Sequence, residues 1–181
     1  MPGLSKTIPI VGFLLLSGCS ANAPIDPSRS RISVTFVEPE KFTDARRAEL
    51  EPTQSGVLGE LQNFIVTTGT RYVPENMKLR IRITNVDLAG DFELFRGPQA
   101  DQVRITKGLY PPHIVLEFEV VDSTEKVIKS GKRDLTDIDY QSRSVYPRED
   151  YLRYEKDILR DWLRAEFSDL NSTQVDRGAL A

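Results

Sequence analysis

Two groups of acidic side chains are the residues whose type and spacing could support chemistry in this chain. Each group comes where a predicted strand ends, and the groups are Asp87, Asp91 and Glu93, and Asp134, Asp137 and Asp139. Clustered carboxylates bind hard cations such as Ca²⁺ or act as acid and base pairs. Asp and Gly are also the residues that tight turns require. We therefore predict turns and assign no metal or cofactor; a shared site requires both strand ends at one edge of the sheet.

His113 is the only histidine, so any histidine-dependent catalytic or metal site must use it. It follows Pro111-Pro112, which favour an extended entry into a strand. No nucleophile motif and no second histidine ligand accompanies it. We predict a histidine at the surface end of a strand, and the sequence indicates no catalytic residue and no enzyme.

Cys19 is the only cysteine, and it follows the small residues Ser17 and Gly18. A basic Lys6 and the apolar run Ile8–Leu16 precede it, which completes the three parts of a secretory signal. This run is shorter than the roughly 20 residues that a membrane-spanning helix needs. The pattern therefore predicts an exported protein in which one thiol sits directly after the signal segment.

That arrangement resembles the lipobox of bacterial lipoproteins. The resemblance implies a signal peptide over residues 1–18 and acyl chains on Cys19 that attach the protein to a membrane. Pro24, Pro27 and small polar residues predict that residues 19–30 are the acylated cysteine and a flexible spacer. Ser20 after the cysteine is similar to the outer-membrane address of enteric lipoproteins, with the domain facing the periplasm. The alternative is an ordinary secreted protein cut near Ala21-Asn22-Ala23.

Charge and cysteine content exclude several partners. Loss of Lys6 with the signal leaves 23 of the 24 basic residues against 27 acidic ones, a net charge of −4. A negative chain argues against nucleic acid and against an anionic lipid surface as the main partner. No second cysteine is present to form an intramolecular disulfide, so the domain depends on its core for stability.

The elements that position these residues follow from hydrophobic periodicity. Alternation predicts strands at 32–37, 79–86, 114–120 and 127–135, with a short strand at 103–106. Helical spacing predicts helices at 57–68 and 151–167. Ser55 is the predicted N-cap of the first helix and Gly69 its C′ residue.

Together these elements predict one α+β domain over residues 31–168, followed by a disordered tail at 169–181. The predicted sheet is mostly antiparallel, with four to five strands and two helices on one face, in the order β-α-β-β-β-β-α. Opposite charges at Arg80, Arg82, Glu117 and Glu119 predict cross-strand pairs on the solvated face, with an anion-binding face as the alternative.

Four segments resemble the bacterial domain-of-unknown-function family 3016, over roughly Ser33–Phe167. They are Pro39–Asp44, Thr84–Glu93, Val103–Phe118 and Leu152–Lys156 with Trp162 and Phe167. The resemblance implies a small envelope or exported protein, and the family offers no catalytic residue to carry over.

Three functions remain open. The first is a non-enzymatic lipoprotein that binds an envelope protein partner or supports an envelope complex. The second is a lipid- or small-ligand-binding module with a pocket between the sheet and the C-terminal helix, lined by Leu152 and Leu159. The third, ranked last, is a hydrolase that uses the strand-end carboxylates. A filled core with exposed apolar residues favours the first, and a large apolar pocket favours the second.

Overall fold

A computed structural model of the protein describes residues 31–44, 54–92 and 104–178. The predicted signal peptide, Cys19 and the spacer lie outside these ranges, as does Glu93. Across the described ranges, no helix combines the length and the apolar character that crossing a membrane requires.

The described residues form six strands and two α-helices. The elements are β1 (Ile32–Phe36), α1 (Gln54–Gly69), β2 (Lys78–Asp87), β3 (Asp91–Phe92), β4 (Arg104–Ile105), β5 (His113–Val121), β6 (Val127–Thr136) and α2 (Arg153–Gly178). Four strands make the main sheet in the order β1-β2-β5-β6, and β3 pairs with β4 in a separate ladder. The predicted α+β class is confirmed.

The main sheet is mixed: one of its strand pairs is parallel, within a sheet that was predicted to be mostly antiparallel. β1 runs parallel to β2, because the connection that contains α1 returns the chain to the edge where β1 began. β2, β5 and β6 are antiparallel to one another in turn. A tight turn joins β5 to β6, closed by the Asp122 N–H, which donates to the Lys126 carbonyl at 3.0 Å.

The core fills the layer between one face of the sheet and the two helices. Alternate residues of β2 and β5 point into it, and α1 and α2 each contribute an apolar stripe. Its most buried members include Leu79, Ile81, Ile83, Ile114, Leu116, Phe118, Leu61, Ile65, Leu152, Leu159, Leu163 and Phe167. Burial of each such side chain contributes about 1.5–3 kcal/mol, so this layer supplies the main stabilisation of the domain.

An irregularity in β2 changes which side chains reach the open face of the sheet. The pairing with β5 passes from Ile83 directly to Asn85, so Thr84 is an extra residue. One extra residue shifts the two-residue alternation of a strand. Val86 is therefore buried, and Asp87 projects from the face opposite to the helices.

The ends of the helices differ from those predicted. α1 begins at Gln54, so Ser55 lies inside the helix and the predicted N-cap is wrong. Gly69 is the last residue of α1, and a Cβ there would come within 2.7 Å of Ile32 Cδ1, so its small size permits close approach to β1. α2 continues past Phe167 to Gly178.

Candidate functional site

At one end of the sheet, the end of β2, the start of β5 and the end of β6 lie side by side. Asp87 pairs in register with His113, and His113 pairs with Thr136. Asp134 lies two residues before Thr136 and so projects from the same face. One member of each predicted acidic group, Asp87 and Asp134, therefore lies at this end of the sheet.

An open cavity of about 580 Å³ lies at this end of the sheet, and we call it the strand-end cavity. Its wall includes Asp87, Asp91 and Asp134, with Leu109 and Tyr110 from the segment that precedes β5. His113 also lines it. The cavity thus combines acidic groups with an apolar and an aromatic side chain.

His113 and Asp134 form a close pair within this wall. Nε2 of His113 lies 2.6 Å from Oδ1 of Asp134. The predicted position of His113 at a strand end is correct, but its carboxylate partner was not predicted, because the register of β5 against β6 decides which residues meet. A carboxylate in this position orients an imidazole ring. The described part of the cavity wall contains no Ser or Cys that such a pair could activate.

The other predicted acidic residues do not join the cavity wall. Asp137 forms an ion pair with Arg143, in which Oδ2 lies 2.7 Å from the arginine Nε. The Oδ1 of Asp137 accepts the Asp139 N–H at 3.1 Å. Arg143 pairs in addition with Asp157 and Asp161 on α2. Turn formation and attachment to α2 therefore account for this pair of aspartates. Among the residues that the structure describes, no three His, Cys, Asp or Glu side chains are grouped so that they could hold a metal ion.

Beneath the cavity lies a hydrogen-bonded cluster that was not predicted, and we call it the strand-end clamp. Three side chains, Asp44, Arg104 and Glu155, hold the backbone segment Leu88–Gly90. Arg104 Nη1 donates to the carbonyls of Leu88 at 3.1 Å and Gly90 at 2.9 Å, and its Nη2 lies 3.0 Å from Oδ1 of Asp44. Asp44 also accepts the Leu88 N–H. This clamp fixes the segment that precedes Asp91 in the cavity wall.

Glu155 is the most buried member of the clamp. It is 1% exposed, and its Oε1 accepts the Ala89 N–H at 2.6 Å. Among the residues that the structure describes, its Oε2 has no hydrogen-bond partner. Burial raises the pKa of this carboxyl above its ordinary value, against the opposing effects of the Ala89 N–H and the Arg104 charge. Its position three residues after Leu152 and four before Leu159 is a sequence signal for burial on the same helix face.

Gly90 completes the clamp because no other residue fits its conformation there. Its φ of +87° is unfavourable for residues with a Cβ, and an added Cβ would lie 2.8 Å from the backbone oxygen of Ile105. Its N–H donates to the Tyr110 carbonyl at 2.9 Å. β4 and the segment before β5 therefore approach β2 only because position 90 has no side chain.

The open face of the sheet carries the predicted cross-strand charges. Arg80 pairs in register with Glu119, and Arg82 with Glu117. The predicted cross-strand ion pair is confirmed for Arg82 and Glu117 only. Arg82 Nη1 lies 2.9 Å from Oε2 of Glu117. Arg80 forms its ion pair with Glu125 of the β5–β6 turn instead. These pairs are exposed, so they contribute little stability.

Comparison with known proteins gives the family. A family model described as protein of unknown function (DUF3016) matches residues 30–165. The chain belongs to the DUF3016 family. Searches of curated proteins and of solved structures returned no match to the chain.

The segments that carry the DUF3016 resemblance meet at the strand-end clamp. Asp44 ends the first segment, Leu88–Gly90 lies in the second, Arg104 in the third and Glu155 in the fourth. They are far apart in the sequence and touch only in the folded domain. The place where all four converge is therefore our candidate functional site for this DUF3016 protein.

Proposed function

We propose that the protein is a non-enzymatic binding module, tethered to a bacterial envelope membrane through acyl chains on Cys19, that docks a protein partner at the strand-end cavity. One observation carries the docking surface. Two large apolar side chains, Leu109 and Ile138, are 77% and 71% exposed on neighbouring loops at this end of the sheet. Exposed apolar side chains beside a polar cavity are typical of a protein contact surface.

The two loops are held against each other. Oη of Tyr140 donates to the Lys107 carbonyl at 2.7 Å, and Nε2 of Gln141 donates to the Thr106 carbonyl at 2.9 Å. The backbone around Leu109 and Ile138 is therefore preorganised. A preorganised surface loses less conformational entropy when a partner binds.

The core argues for a partner-binding protein over a lipid-binding one. Leu152 and Leu159, which would line a pocket between sheet and helix, have no exposed surface. Their neighbours across the layer, such as Leu116 and Phe118, are also buried. Side chains occupy this layer at the places where a lipid chain would have to lie.

The charge of the cavity suggests the chemistry of the partner. Asp87, Asp91 and Asp134 line it, next to the apolar Leu109. An apolar partner surface that carries a Lys or Arg side chain complements both features. The negative charge of the whole chain is consistent with this choice and disfavours nucleic acid.

The tether is proposed from the sequence. Cys19 follows a signal-like segment, and the 12 residues 20–31 separate it from β1. Two or more acyl chains hold a protein stably at a bilayer, whereas one chain holds it only marginally. Ser20 supports an outer-membrane location with the domain facing the periplasm.

Crosslinking in cells with the native anchor, followed by mass spectrometry, tests the docking surface. We expect wild type to yield a defined partner, and the double variant Leu109→Asp with Ile138→Asp to lose it. The matched control is Val127→Asp with Ile128→Asp, which places the same charges on half-exposed apolar residues at the start of β6. Recovery of the monomer alone from wild type, or equal loss in both double variants, contradicts the proposal.

Cys19→Ser tests the tether separately. We expect this variant to leave the membrane fraction and to lose acyl labelling, because the acyl chains have no other thiol to occupy. Unchanged membrane retention rejects the lipid anchor and leaves the docking surface to be judged by the crosslinking result.

A further inference from the structure

Two arginines near the start of α2 lack the carboxylate partners that their neighbours have. Among the residues that the structure describes, Arg148 and Arg153 form no ion pair, whereas Arg143 and Arg164 both pair with aspartates on α2. The guanidinium carbon of Arg148 lies over the ring of Tyr146, 5.6 Å from its centroid. A guanidinium group without a carboxylate partner is suited to bind one from outside the domain, because its planar fork matches an oxyanion.

The two arginines line a common pocket of about 290 Å³, which we call the arginine pocket. Its wall includes Gln141, Arg143, Ser144, Arg148, Arg153 and Tyr154. Glu149 and Asp150 lie between the two arginines in the sequence, but neither belongs to the described wall. Asp150 pairs instead with Lys156, at 2.7 Å. The charges of the two arginines are therefore not neutralised from within the described wall.

Arg153 is held in place and still has donors to offer. Its Nη1 donates to the carbonyls of Arg148 at 3.1 Å and Asp150 at 3.2 Å, and its Nη2 donates to the Tyr154 hydroxyl at 3.1 Å. Its guanidinium carbon lies 4.3 Å from the centroid of the Tyr154 ring. A guanidinium carries more N–H donors than these bonds use, so Arg153 is oriented and can also bind an oxyanion.

A chain of contacts joins the arginine pocket to the proposed docking surface. The rings of Tyr154 and Tyr140 pack edge to face, with centroids 4.7 Å apart and an interplanar angle of 87°. The Tyr140 hydroxyl holds the Lys107 carbonyl, two residues before Leu109. Gln141 lies in the pocket wall, and its amide donates to the same loop. The pocket and the Leu109 loop are therefore parts of one preorganised surface.

This surface carries opposite charges at two places that apolar loops connect. The strand-end cavity is lined by three aspartates, and the arginine pocket by arginines. The loop of Leu109 lines the cavity, and the loop that follows Ile138 lines the pocket through Gln141. Leu109 and Ile138 themselves are exposed.

We propose that the arginine pocket is an oxyanion subsite of the docking surface and takes an Asp or Glu carboxylate of the protein partner. The partner presents a basic side chain to the strand-end cavity, an acidic one to the arginine pocket, and apolar residues to Leu109 and Ile138. Two charged contacts of opposite sign fix the orientation in which it docks. The assignment of the partner rests on the proposed function, whereas anion binding by the pocket is measurable without a partner.

NMR titration of the purified full chain with sodium acetate, at an ionic strength kept constant with sodium chloride, tests the pocket itself. The Nε–H resonances of Arg148 and Arg153 should shift and saturate. Arg148→Gln should weaken acetate affinity at least about fivefold, because it removes one of two charged donors. Arg164→Gln is the matched control, since Arg164 is 64% exposed on α2 and outside the pocket, and it should change the affinity less than about twofold. Shifts that do not saturate, or equal losses in the two variants, overturn the anion site.

Charge reversal in cells tests whether the partner uses the pocket. With a photoreactive probe at position 109, Arg148→Glu should lower capture of the partner about tenfold, because like charges would then face each other. Arg164→Glu should lower it less than about twofold. Replacement of the partner's contacting Asp or Glu by Arg should restore capture by Arg148→Glu. Undiminished capture by Arg148→Glu overturns the subsite and leaves the docking surface intact. No capture by the otherwise wild-type chain rejects the docking surface and the partner carboxylate together, and the acetate titration still decides the anion site.

Discussion

The two clusters that join α2 to the sheet use charge in opposite ways. The β6-edge cluster consists of Lys129, Arg133 and Glu166, so two cations flank one carboxylate, with contacts of 2.8 Å to each. The strand-end clamp places two carboxyls around one guanidinium and bonds them to backbone groups. The pKa of Glu166 is lowered despite its burial, because hydrogen bonds to Lys129 and Arg133 outweigh the desolvation. The pKa of Glu155 is raised because desolvation dominates there.

The two charge arrangements indicate two roles: the β6-edge cluster protects an edge strand from further pairing, and the strand-end clamp positions a segment of the cavity wall. Lys129 and Arg133 point inward from an edge strand and lie over the rings of Phe167 and Phe118, at 5.8 Å and 5.3 Å from the ring centroids. Inward charges of this kind discourage further strand pairing at an edge. The clamp, in contrast, fixes a segment of cavity wall through specific backbone hydrogen bonds. Substitutions in the clamp should therefore cost more than matched substitutions at the β6 edge.

The largest difference is expected for the two arginines. Arg104→Ala should destabilise the domain by about 3 kcal/mol, because Asp44 and two carbonyl groups would remain partly buried without their donor. Arg133→Ala should cost about 1 kcal/mol, since Arg133 is more exposed and Lys129 still pairs with Glu166. Urea denaturation of both variants measures this difference in unfolding free energy, provided that their m-values equal that of wild type. Equal losses would remove the distinction between the clusters.

A smaller difference is expected for two glycines. Gly90→Ala should cost about 2 kcal/mol, because φ is positive and the new Cβ meets a backbone oxygen. Gly131→Ala at the β6 edge should cost about 1 kcal/mol, since its backbone is not left-handed and the new Cβ meets the end of the flexible Arg133 side chain at 2.9 Å and the Phe118 ring at 3.1 Å, with no backbone atom among them. Thermal unfolding of the two variants compares them, and a Gly131→Ala loss as large as that of Gly90→Ala contradicts the account.

The smallest effects are the opposite pH dependences of the two glutamates. Glu155, with its raised pKa, contributes stability below the unfolded value of 4.5 that is lost as the pH rises through the folded value. Glu166, with its lowered pKa, contributes stability above the unfolded value that is lost as the pH falls through the folded one. Replacement of each by Gln should remove the corresponding slope from a plot of unfolding free energy against pH. A slope of the same sign for both residues would show that their environments do not differ as described.

Periodicity predicted the elements of the fold well, since alternation in β5 and the apolar stripe of α2 are local properties. It could not distinguish a parallel β1 from an antiparallel one, because both expose the same alternating residues. The extra residue at Thr84 was also not predicted, since a bulge depends on pairing with the neighbouring strand.

The candidate site was predicted only in part. Asp87, Asp91 and Asp134 were selected as members of two acidic groups, and these three line one cavity. Asp44 and Arg104 were missed, because nothing local distinguishes a buried charge from a surface one. Their pairing arises only when segments 60 residues apart meet. The burial of Glu155 could have been inferred from its position between Leu152 and Leu159.

Site-specific photo-crosslinking in cells tests most directly whether the strand-end cavity is the docking surface. A photoreactive amino acid replaces Leu109 beside the cavity or, as the control, Ser130 on the open face of the sheet, in the full chain with its native anchor. Both positions are exposed, so neither substitution should disturb the core. We predict that the probe at 109 captures one defined protein partner and that the probe at 130 does not. Capture of that partner at 130 and not at 109 would contradict the account.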